Sequence, residues 1–96
     1  MLSGKQKAYL RSLAQNERAI FQIGKDGLSD TLIKTLNDAL KARELVKVSV
    51  LKTGPVEDMK ETAFDLAMHT KSEVVQVIGH TIVLYKKGKE PKILLP

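Results

Sequence analysis

Apolar positions along the first fourteen residues fall at Leu10, Leu13 and Ala14, a helical spacing, behind Ser3 and Gln6, which stand at the separation of a capping box. The pattern predicts a first helix that begins at Ser3 and ends near Gln15-Asn16-Glu17. The apolar run Ala19-Ile20-Phe21-Gln22-Ile23 then predicts a short strand. Beyond Gly24-Lys25-Asp26-Gly27, leucines at 28, 32, 36 and 40 recur every four residues and Ile33 widens the stripe. This is a second helix, with Ser29 or Asp30 as its cap. Val46, Val48 and Val50 alternate with Lys47 and Ser49, the period of a strand with three valines on one face.

Lys52-Thr53-Gly54-Pro55 reads as a loop, and Pro55 suits the start of a third helix over about 56–70 because its missing N–H is unneeded there. Met59, Ala63, Leu66 and Ala67 point inward on that helix, and Asp58, Glu61 and Asp65 lie on its wetter sides. Two β-branched runs, 74–78 and 81–85, flank Gly79-His80, a two-residue hairpin turn with glycine at the first position of type II′. The apolar tail Ile93-Leu94-Leu95 folds back on an edge or meets a partner. Strand–helix–strand units require parallel strands and the hairpin an antiparallel one. The fold class expected is therefore α+β: two layers, a four-stranded mixed sheet, and the order helix-strand-helix-strand-helix-strand-strand. Ninety-six residues without a repeat make one domain, 1–96.

Sixteen Lys and Arg against eleven Asp and Glu leave a formal charge of +5, a field that attracts polyanions. The absence of cysteine excludes disulfides, thiolate metal sites and cysteine nucleophiles. The polar opening Met1-Leu2-Ser3-Gly4-Lys5 and the lack of a long apolar run point to a cytoplasmic protein with no membrane partner. His69 and His80 are the two histidines, with no ligand spacing between them, so neither metal nor cofactor is expected. With no nucleophile elbow either, the chain reads as a non-enzyme. Phe21 and Phe64 are expected in the core, and Tyr9 and Tyr85, which have polar handles, to pack rather than stand exposed for bases. That leaves few rings for stacking bases.

The candidate chemistry lies at Gly24, Lys25, Asp26 and Gly27. Glycine at both ends admits a close ligand, Lys25 adds charge, and the N–H groups of the following helix's first turn favour an anion. The motif lacks the third glycine of a dinucleotide fingerprint and the Gly-Lys-Ser/Thr ending of a Walker A loop. It is either a nucleic-acid backbone platform or a plain strand-to-helix turn.

Gly24-Lys25-Asp26-Gly27-Leu28, Glu44-Leu45-Val46-Lys47-Val48 and Val75-Gln76-Val77-Ile78-Gly79-His80-Thr81-Ile82-Val83-Leu84-Tyr85 together resemble the CRM domain (chloroplast RNA splicing and ribosome maturation), specifically its bacterial stand-alone YhbY-type members. The opening Leu2 to Ala14 is similar to that family's first helix, so the likeness covers about residues 2–95. It implies a fold like the C-terminal domain of translation initiation factor three with an added N-terminal helix. It also implies RNA binding through a glycine-flanked, KH-like GxxG loop, and ribosomal RNA of the large-subunit precursor as partner. On that reading Lys7 and Arg11 of the first helix, Lys34 near the loop and Lys86 after the last strand join residues 24–27 as RNA contacts. Arg18, Lys47 and Lys87 are weaker candidates, and each basic side chain could instead be simply solvated. The function expected is RNA binding in large ribosomal subunit assembly, by a monomer that could also meet ribosomal or assembly proteins. The alternative is a non-catalytic adaptor between proteins on an assembly particle. DNA binding ranks third, because a strand separates the first two helices and rules out a helix-turn-helix.

Overall fold

The computed structural model describes residues 2–19, 21–23, 29–50, 59–88, 93 and 95. Seven elements follow one another in the expected order: α1 (Gly4–Ala14), β1 (Phe21–Ile23), α2 (Asp30–Arg43), β2 (Leu45–Val50), α3 (Met59–Thr70), β3 (Glu73–Ile78) and β4 (Thr81–Tyr85). Their starts are set by local chemistry. Ser3 and Gln6 form the reciprocal box: the Gln6 N–H donates to Ser3 Oγ at 3.1 Å and the Ser3 N–H to Gln6 Oε1 at 3.0 Å. Ser29 rather than Asp30 caps α2, accepting from the Leu32 N–H at 3.1 Å. Gly79 stands at φ +55° and His80 has no positive φ, the sign pattern of a type II′ turn. The Lys52-Thr53-Gly54-Pro55 loop lies outside the described residues.

The sheet runs β1-β2-β4-β3, with β1 and β2 parallel and the other two pairs antiparallel. α2 and α3 lie on one face, where Leu36, Leu40, Ala63 and Leu66 close over Ile23, Val46, Val48, Val50, Ile82 and Leu84. The two-layer expectation holds for those helices and is corrected by α1. Leu10 and Ala14 pack on the opposite face with Leu45, Val75, Val83 and Tyr85, which adds a third, partial layer. The cause is the sheet's second face, which is apolar at one end (Leu45, Tyr85) and polar at the other (Ser49, Thr81). A short helix fits over the apolar end only.

β3 solves a related problem. Its register jumps between Val74 and Gln76, leaving Val75 as the extra residue of a bulge. Val74 and Val77 therefore both reach the α2/α3 core, while Val75 joins the α1 cluster. The tail folds back as one of the two expected alternatives: Ile93 and Leu95 pack beside α1, and the buried Glu44 carboxylate accepts from the Gly88 N–H at 2.8 Å and the Ile93 N–H at 2.9 Å. Phe21 is half-buried against the core as expected, and Tyr85 is buried. Phe64 is a correction. It is 64 % exposed, because α3 buries the stripe through Ala63, Leu66, Ala67 and Thr70, leaving position 64 and its i+4 neighbour Met68 outside. No helix among the described residues is long and apolar enough to cross a membrane.

Candidate nucleic-acid interface

Among the described residues β1 is an edge strand, paired with β2 alone, and it ends at Ile23; α2 begins at Asp30 behind its Ser29 cap. The chain between them carries the candidate residues Gly24, Lys25, Asp26 and Gly27, which lie outside the described residues. Asp30 in the first turn of α2 and Lys41 and Arg43 in its last complement the helix dipole, which accounts for these two cations without a ligand.

The other expected contacts separate into two groups. Lys34 is exposed on α2, one turn before Asn37. Lys86 Nζ donates to Asn37 Oδ1 at 2.9 Å, and the Lys86 N–H donates to the Glu44 carbonyl at 2.8 Å. Lys34 and Lys86 thus share the outer side of α2. Lys7 and Arg11 stand one turn apart on α1, across the sheet, with Lys7 half-buried and Arg11 exposed. No single helix face gathers all four. Lys47 is bound into the fold instead, because its Nζ donates to the carbonyls of Ala14 at 3.1 Å and Glu17 at 3.4 Å and so closes the C-terminal end of α1. Arg18 and Lys87 are exposed.

The CRS1 / YhbY (CRM) domain model matches residues 2–86, a span that holds all three helices and all four strands. The chain belongs to the CRM domain family. Two curated relatives are similar over almost their whole length. "Probable RNA-binding protein YqeI" of Bacillus subtilis is 52% identical over 92 residues, 96% of this chain and 95% of that protein. An "RNA-binding protein" of Haemophilus influenzae is 36% identical over 96 residues, 99% and 95% of the two chains. The solution structure of the hypothetical protein SAV1595 from Staphylococcus aureus superposes with a TM-score of 0.84 at 52% identity, covering 100% of both chains.

In this CRM domain the sequence pattern did not reveal the polar end of the second sheet face. Two cross-strand rows lie there: Gln22, Ser49, Thr81 and Ile78 in one, and Lys47, Val83 and Gln76 in the next. The alternation of Lys47 and Ser49 with valines was the available signal for β2. For β3 the bulge hides it. Among the described residues no group of three or more His, Cys, Asp or Glu side chains could hold a metal ion. Burial, then the Glu44 and Glu73 carboxylates, push the Tyr85 phenol above the ordinary 10.0.

Proposed function

We propose that this CRM domain holds structured RNA by its phosphate backbone, and that the RNA is the ribosomal RNA of the large-subunit precursor. The observation that carries the reading is the junction of edge strand β1 with the capped helix α2, bridged by the Gly24-Lys25-Asp26-Gly27 sequence in a chain of net charge +5. An edge strand leaves space beside such a connection, glycines admit a sugar-phosphate chain closely, and a helix N-terminus faces it with donors. Lys25 of that segment and Lys34 of α2 supply charge, as do Lys7 and Arg11 of α1 on the other face. Arg11 stands by Gln76 and Ile78 of β3, the opposite edge strand, so an RNA that meets both groups crosses the second face of the sheet from the β1 edge. RNA-binding names among the relatives support the class of ligand.

The domain has no catalytic part in this reading: it steadies one shape of a folding RNA. The test is ultraviolet crosslinking in cells with the contacts mapped on both partners. The reading expects crosslinks concentrated in the large-subunit precursor, with peptides from residues 24–34 on the protein side. Crosslinks scattered over messenger RNA, or capture of assembly proteins without RNA, would overturn it and favour the adaptor.

A further inference from the structure

We infer that the groove between α1 and the open end of the sheet is a pocket for the base of one unpaired RNA nucleotide. The inference rests on the RNA-binding reading above and adds a specificity site to it. Arg11 of α1 and Gln15, which caps that helix, form one wall, and Lys47, Gln76, Ile78 and Thr81 of the sheet form the floor and the other wall. The groove holds about 190 Å³. That is room for about six waters at ~30 Å³ each, the scale of one flat heterocycle rather than of a peptide segment.

Its lining suits a base and its phosphate. No acidic side chain lines it, and two cations do. The side-chain amides of Gln15 and Gln76 and the Thr81 hydroxyl have no hydrogen-bond partner among the described residues. Amides and a hydroxyl offer both donors and acceptors, as the Watson–Crick edge of an unstacked base requires. Ile78, 60 % exposed, gives the ring an apolar surface to lie on. Lys47 spends two of its three N–H donors on the Ala14 and Glu17 carbonyls, which fixes the ammonium in place and leaves one donor for an acceptor. Arg11 remains for the phosphate.

The bulge at Val75 builds this site, since it turns Gln76 toward the groove while Val77 stays in the core. A polar row leads from the groove to β1. Thr81 pairs with Ser49 and Ser49 with Gln22, so a polar row crosses two strand spacings, about 10 Å, and ends one residue before Ile23. A base seated at Thr81 leaves its backbone heading along that row toward the β1 edge.

The experiment compares two RNAs, a fully paired duplex and the same duplex with one bulged nucleotide, by fluorescence anisotropy at fixed salt. Wild type is expected to bind the bulged RNA about tenfold tighter, the scale of one well-paired base edge. Gln76→Leu with Thr81→Val should abolish that difference and leave the affinity for the plain duplex unchanged. Gln15→Leu, on the exposed end of α1, should reduce the difference without touching the sheet, which covers the case in which the double variant fails to fold. Equal wild-type affinity for the two RNAs, or equal losses on both RNAs in a folded variant, would overturn the pocket and leave backbone binding standing. Binding of neither RNA would overturn the RNA reading itself, and the pocket with it.

Discussion

Among the described residues, Lys71 and Glu44 adopt backbone conformations usually left to glycine, and they do so for different reasons. Lys71 (φ 55°) follows α3, where the Ser72 N–H donates to the Ala67 carbonyl at 2.9 Å and the Lys71 N–H to the Met68 carbonyl at 3.4 Å. That is a Schellman ending with a lysine in the left-handed position. Lys71→Gly should therefore raise stability by about 0.5–1 kcal/mol, read from the midpoint of urea unfolding; a lower midpoint would show that the lysine side chain does more than tolerate the turn. Glu44 (φ 67°) ends α2, and its buried carboxylate holds the tail through two backbone N–H groups. Glu44→Gln keeps the size but halves the acceptors, so it should cost about 1–3 kcal/mol and loosen the packing of Ile93 and Leu95, seen as faster amide exchange at Ile93. Unchanged exchange there would refute the clamp. Tyr85 gives a pH signature. Its phenol is held above 10.0 in the fold, first by burial and then by Glu44 and Glu73. The unfolded chain then loses its proton first, so stability is flat below about pH 10 and falls as pH rises through the folded value. Tyr85→Phe should remove that contribution, as urea titrations from pH 8 to 11 would show by a shallower alkaline decline.

Most of the elements were legible because each carries a complete local signal. The Ser3/Gln6 box, the four-residue leucine repeat of α2, the valine alternation of β2 and the Gly79-His80 turn each name a structure without outside help. What stayed hidden depends on pairing between elements. Val74-Val75-Gln76-Val77-Ile78 fits no strict alternation, because it serves two cores through a bulge that only pairing with β4 can place. The face chosen by α1 was equally hidden, since Leu10, Leu13 and Ala14 say that the helix packs and not where. Phe64 looked like core because sequence gives the apolar character of α3 but not how wide a stripe its neighbours cover. The α1 layer yields a prediction of its own. Leu10 is fully buried, so Leu10→Ala should destabilise by about 2–4 kcal/mol, with amide protection lost in α1 more than in β2 and β4. Uniform loss across the sheet would mean that α1 is not a separable layer.

For the molecule as a whole, the strand-to-helix segment and the cations around it were visible in the sequence, but not that Lys7 and Arg11 lie across the sheet from Lys34 and Lys86. Helical spacing relates residues within one helix; only the sheet decides which helices share a side. Charge divided between the two faces of the sheet still makes a salt-dependent binder. If Lys7 and Arg11 meet phosphates, affinity should fall steeply with salt, and reversing both to Glu should lower the affinity and flatten the slope. Reversal of Lys60, exposed on α3, should change neither by much. An equal loss from Lys60→Glu would reduce the interface to diffuse attraction. The central claim is that the segment joining β1 to α2 grips the RNA, and it is met most directly by the affinity of Lys25→Glu with Gly27→Val for a structured large-subunit ribosomal RNA fragment. Salt is fixed in that measurement, and circular dichroism confirms that the fold survives. A loss of about tenfold or more is predicted, from removed charge and a crowded backbone; wild-type affinity in the folded double variant would contradict the account.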